Sequence, residues 1–219
     1  WLVILFGFMI VPLGVVSMFF IIIQPIMLGT WCTLCLIAAA AMLVQIPYSF
    51  DELVATGQFL WRRKKQGRPL LRIFFTGDTD EGNGAPEEDD FEQDAWEITK
   101  DAAKGGVGLP WNLAACIAIG LWLMFTRLSL DATGGMADVD HLIGSLVITI
   151  TVIALAEVAR PVRFLNIPLG LCLLITPFIY DPGILATIAS IVSGLAIAGL
   201  SIRRGVIRNR YGDWNRFLS

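Results

Sequence analysis

LVILFGFMIVPLGVVSMFFIIIQPIML, the stretch from Leu2 to Leu28, carries no charged side chain. A helix rises about 1.5 Å per residue, so roughly 20 apolar residues cross a hydrocarbon layer ~30 Å thick. This stretch is long enough to do so, with Pro12 and Pro25 marking kinks or ends. Five further apolar runs follow: Trp31 to Tyr48, Trp111 to Phe125, His141 to Ala159, Phe164 to Tyr180 and Ile184 to Ile202. Pro47 closes the second. Asp131, Asp138 and Asp140 bound the third and fourth, and Arg160-Pro161-Val162-Arg163 and Asp181-Pro182-Gly183 punctuate the rest. Such short connections admit only helical hairpins. The expected fold class is all-α, a polytopic membrane protein of about six transmembrane helices.

Composition agrees with this and excludes a soluble globular domain. Of 219 residues, 56% are hydrophobic and 16% charged, against about 25% charged in soluble domains. The bilayer is the expected partner, and no nucleic acid is. Trp1 stands inside an apolar run with no charged leader and no small-residue cleavage site, unlike a signal peptide. The sequence therefore reads as a piece of a longer product, entered within a helix.

The formal charge of −3 hides a segregation that orients the chain. Short cytoplasmic loops are enriched in Lys and Arg. Arg62, Arg63, Lys64, Lys65 and Arg68 follow the second run, Arg160 and Arg163 the fourth, and Arg203, Arg204, Arg208 and Arg210 the sixth. The alternate loops, Gly29-Thr30, Leu128 to Asp140 and Tyr180 to Gly183, contain neither, and Arg127 is the one dissenter. Ser49 to Pro110 and the C-terminus are thus expected in the cytoplasm, and Gly29-Thr30 on the oxidising side. Asp51 to Leu60 can continue as an interfacial amphipathic helix ahead of the topology-setting basic cluster. Gly77 to Asp94 is rich in Gly and acids and too poor in large apolar residues to fold, so a disordered linker is expected there. The domain division is 1–55, a linker 56–108, and a membrane module 109–219.

That last module repeats. Gly120 and Gly144 recur in register as Gly170 and Gly194, with Leu121 matching Leu171, Leu123 matching Leu173, Thr126 matching Thr176 and Arg160 matching Arg210. Fixed-period similarity marks a repeated unit, here a helical hairpin whose paired glycines permit close backbone contact. Leu109-Pro110-Trp111-Asn112, Gly120-Leu121-Trp122-Leu123, Asp138-Val139-Asp140-His141 and Glu157-Val158-Ala159-Arg160-Pro161 resemble the SPW-repeat membrane proteins. Leu-Pro-Trp stands where that family has Ser-Pro-Trp. The resemblance implies a four-helix module and no defined activity.

Cys32-Thr33-Leu34-Cys35 opens the second run. A C-x-x-C pair at a helix start has a depressed thiol pKa, because the helix N-terminus favours thiolate. Its side of the membrane is the one where disulfides persist. Metal binding would need further Cys or His ligands nearby, and none is expected. With the Pro-bent helix before it, Gly29-Thr30-Trp31-Cys32-Thr33-Leu34-Cys35-Leu36-Ile37-Ala38 is similar to the last two helices of the vitamin K epoxide reductase family, over about residues 1–55. The resemblance implies that Cys32 and Cys35 are the redox pair handing electrons to a quinone, ubiquinone or menaquinone. It also implies a periplasmic thioredoxin-fold donor, a bacterial inner membrane, and shuttle cysteines on an earlier loop. Only two helices of that family's four-helix bundle are present, so those cysteines would lie upstream of Trp1.

On this reading Cys35, deeper along the helix, faces quinone and Cys32 exchanges with the incoming thiol. Phe19, Phe20, Ile23 and Met27 are candidates to line the quinone pocket; the plainer reading makes them ordinary lipid-facing or packing residues. The rival function is a non-enzymatic membrane scaffold with an inert or structural C-x-x-C. Glu157, three residues before Arg160, is expected to form an ion pair on one helix face. His141, beside Asp138 and Asp140, is expected to be a hydrogen-bonded cap, and Cys116 and Cys172 to act as small apolar residues in later spans. In a background with all four cysteines replaced by serine, a membrane-impermeant maleimide on the non-cytoplasmic side should label Thr30→Cys and spare Gly67→Cys. The opposite pattern would invert the topology.

Overall fold

The structure, a computed structural model, describes residues 1–78, 96, 107–130, 134–181 and 183–205. Residues 79–95 and 97–106 of the expected linker lie outside the described residues, as do Asp131, Pro182, Arg208 and Arg210.

The described chain is helical, with a single isolated bridge, Val107 to Ala156. Helix α1 (Leu2–Ile23) runs through Pro12 into a wide π-helical turn, Gln24–Leu28, with Pro25 in its first turn. Gly29 ends it at φ 63°, a left-handed conformation suited to glycine. Next come α2 (Thr33–Lys65), α3 (Leu70–Thr76), α4 (Trp111–Met124) and the short α5 (Thr126–Ser129). Helix α6 (Gly134–Ile153), a 3-10 segment (Glu157–Leu165), α7 (Asn166–Tyr180) and α8 (Ile184–Ile202) complete the chain. Five helical stretches are long and apolar enough to cross a membrane. Trp111–Met124 is apolar but shorter, spanning about 21 Å at the standard rise.

Two boundaries differ from the sequence expectation. Pro47 does not close the second run; it sits inside the 33-residue α2. Proline costs an interior helix a hydrogen bond and a steric clash, but here packing extends beyond it. A Cβ on Gly14 would lie 2.7 Å from Ile46 Cδ1, and one on Gly7 would lie 2.6 Å from Leu53 Cδ1. These two notches in α1 hold α2 on both sides of Pro47. The segment after it is therefore packed helix, not a separate interfacial one.

The fourth run also shifts. It begins at Gly134 and ends at Ile153, before the expected Ala159. Ala156 is drawn into the bridge with Val107, and Pro161 disfavours α geometry in the residue before it. Glu157 and Arg160 consequently lie on the 3-10 segment. Residues three apart eclipse in a 3-10 helix, so the two still share a face. Both are buried, and both side chains reach Gly108.

The repeat is visible in three dimensions. A Cβ on Gly144 would meet Gly120 O at 2.6 Å, and one on Gly170 would meet Gly194 O at 2.6 Å. Leu123 and its counterpart Leu173 share one core cluster with Val147 and its counterpart Ile197. Thr126 and Thr176 each donate to the carbonyl three residues back. Across the module, Asn166 donates to Thr151 Oγ1 at 2.9 Å, while Cys116 Sγ lies 4.0 Å from Ser201 Oγ. These two contacts exchange under the repeat. The hairpins α4–α6 and α7–α8 are thus related by a pseudo-two-fold.

The α1–α2 pair lies against α6, and one cluster draws Met18, Ile21 and Ala39 together with Met124, Ile148 and Val152. Gly144→Ala should lower stability by about 1–3 kcal/mol, since the added methyl would meet Gly120 O, Leu123 Cβ and Met124 N, none of them the free end of a flexible side chain. Gly199→Ala, with nothing within 4 Å, should be neutral or stabilising. Thermal unfolding in detergent compares the two.

Candidate functional site

Gly29 reverses the chain after the π-helical turn, and Cys32 becomes the N-cap of α2 with extended backbone, φ −101° and ψ 107°. An N-cap side chain normally accepts from a backbone N–H two or three residues on. Here Cys32 Sγ takes that place, 3.4 Å from the Cys35 nitrogen. The Cys32 N–H donates to Gln24 Oε1 at 3.2 Å. Gln24 is itself buried and fixes the turn from the α1 side. Both cysteines are half-buried free thiols.

Cys32 lies on the turn ahead of α2. Its thiol pKa is lowered, first by the hydrogen bond from the Cys35 thiol, then by the Cys35 backbone N–H, with a smaller contribution from the Leu34 N–H. Desolvation opposes this more weakly. The turn therefore favours the thiolate of Cys32 over that of a free cysteine and sets a second thiol three residues on, the spacing thiol–disulfide exchange uses.

The quinone-pocket candidates are placed differently. Phe19 (56% exposed), Phe20 (53%) and Met27 (74%) point off the outer side of the helix pair, and Ile23 is half-buried. Met18 and Ile21 form the packed face of α1 instead. Cys116 is buried, and Cys172 lies exposed on the outside of the apolar α7.

An unexpected constellation adjoins the cysteine turn. His141, expected as a hydrogen-bonded cap, is buried, with Nε2 3.1 Å from Ile21 O and Nδ1 3.4 Å from Met124 O, the last carbonyl of α4. Its ring meets Trp31 edge-on at 5.1 Å, and Trp31 stacks on Phe125 at 5.4 Å. Arg127 pairs with Asp138 and donates to Pro25 O at 3.4 Å. That pairing accounts for the basic residue that broke the loop pattern, since its charge is matched on the spot. Pro25, Trp31, Phe125, Arg127, Asp138 and His141 line a cavity of about 230 Å³ between the cysteine turn and the C-terminal helices. A signal for this junction existed in Pro25, which denies the Ile21 carbonyl its helical donor. Nothing in the sequence pointed to the donor that replaces it.

Among the described residues no group of three or more His, Cys, Asp or Glu is gathered as a metal site. No family model, curated protein or solved structure matches the chain. The class defined by fold is an all-helical protein whose described residues include five helices long and apolar enough to cross a membrane. Cys35→Ala removes the thiol that donates to Cys32 and should move the midpoint of Cys32 alkylation to higher pH. Rates followed by mass spectrometry against pH measure it; an unmoved midpoint would show that the thiol contact is not felt.

Proposed function

We propose that the chain is a membrane thiol–disulfide oxidoreductase module, passing electrons from protein thiols to a quinone through Cys32 and Cys35. The observation that carries this is the cysteine pair capping a transmembrane helix, with Cys32 accepting from Cys35. The basic loops support a six-span arrangement with the pair on the side opposite the cytoplasm, and the resemblance of the cysteine turn suggests a bacterial inner membrane. Trp111–Met124 is then the sixth span, short enough to need the polar ends of its neighbours.

In the cycle, a thiolate of a periplasmic thioredoxin-fold donor attacks Cys32 of the oxidised pair and releases Cys35. The donor's second thiol completes its own disulfide, leaving Cys32 and Cys35 reduced. The dithiol then gives two electrons and two protons to quinone, forming quinol and restoring the disulfide. Cys35 faces the quinone, which approaches through lipid along the side of α1 where Phe19, Phe20, Ile23 and Met27 lie.

Thiol trapping in membranes tests this. The reduced pair should return to disulfide on addition of ubiquinone or menaquinone, and Cys32→Ser or Cys35→Ser should abolish the return. A pair that stays in one state whatever the quinone would leave a structural membrane protein with an inert C-x-x-C.

A further inference from the structure

Two carbonyls at the junction lose the usual donor four residues on, for separate reasons. Pro25 has no N–H to return to Ile21, four residues earlier. Met124 is the last residue of α4, where terminal carbonyls run out of partners. His141 stands between them with a ring nitrogen facing each, at 3.1 and 3.4 Å. A neutral imidazole has one N–H. It can donate to one carbonyl only, and its other nitrogen then turns a lone pair toward an acceptor. The imidazolium has two N–H groups and donates to both.

The same ring touches the cysteine turn by two routes. Its edge-on contact with Trp31 bears on the residue before Cys32. Its contact with Ile21 holds the chain just ahead of Gln24, which accepts the Cys32 N–H.

We infer that His141 is a proton-operated positioning residue for the Cys32–Cys35 turn. Protonated, it ties the ends of α1 and α4 to α6 and holds Trp31 in place. When it gives its second proton to the aqueous side, one carbonyl loses its donor and the turn loosens. This deepens the proposed function, because the turn it positions is the proposed redox turn, and it gives the C-terminal module a part in that site.

The charged and titratable groups around the ring are few. On α6 itself Asp138 is paired with Arg127 of α5, and the buried Asp140 carboxyl is directed to Thr126. The turn and α2 bring Cys32 and Cys35. Neither α1 nor α4 contains a charged residue.

The test is the pH profile of iodoacetamide alkylation at Cys32, in the full chain, reduced, in lipid nanodiscs, over about pH 5–9. The wild type should show the thiol titration and a second inflection, offset by about three- to tenfold in rate, the weight of one hydrogen bond. His141→Gln keeps a donor but cannot gain a proton, and should show the thiol titration alone. A single inflection in the wild type, or a His141→Gln profile that superimposes on it, overturns the inference. Should His141→Gln fail to fold, His141→Asn, which likewise keeps a donor and cannot gain a proton, takes its place. Quinone reoxidation is judged separately: its absence with two inflections sinks the redox reading alone, and its presence with one inflection sinks the positioning role alone.

Discussion

Helices in a hydrocarbon layer gain nothing by hiding apolar side chains from lipid tails, so close approach of their backbones must hold them together. Glycine makes that approach possible throughout this molecule. Gly7 and Gly14 let Leu53 and Ile46 settle against α1, and Gly120 with Gly144 and Gly170 with Gly194 bring each hairpin to backbone contact. The long α2 survives Pro47 because those contacts extend beyond it. The repeat, in turn, sets α4–α6 and α7–α8 in equivalent packing, with Cys116–Ser201 and Asn166–Thr151 as exchanged partners.

Several of the polar groups within this frame gather where the helices are interrupted. A backbone carbonyl or charged group without a partner is costly in an apolar surrounding. The interruptions at Pro25, at Met124 and between Ile153 and Asn166 each collect side chains that supply one. His141 and Arg127 reach the first two. Asn112 donates to Leu200 and Arg203 carbonyls at the end of α8, and Arg163 to Ser201 O. Breaks in the helices are thus also the points at which separate parts of the chain are joined.

The cysteine pair stands at one such joint. The N-terminal helices alone supply the thiols, the glycine reversal and Gln24, which suffice for a polarised C-x-x-C turn. The C-terminal module adds the aromatic and ionic surroundings, through Phe125, Arg127, Asp138 and His141. A repeat module with no chemistry of its own in sequence therefore forms one wall of the only cysteine pair spaced for exchange.

Helical class, the apolar runs, the glycine register of the repeat and the cysteine turn were legible in the sequence because each is a local pattern. Lipid demands internally bonded helices, and spacing along the chain fixes which residues recur. Helix ends were less legible. Whether Pro47 stops α2 depends on contacts with Gly7 and Gly14, and the end of α6 depends on Ala156 pairing with Val107. Most distant from the sequence was the setting of His141. Its acceptors, Ile21 and Met124, lie on other helices, and only tertiary packing could bring those carbonyls to one ring. Tertiary packing also turned Phe19, Phe20 and Met27 outward, because an apolar residue in a span gives no sign of which face a neighbour will cover.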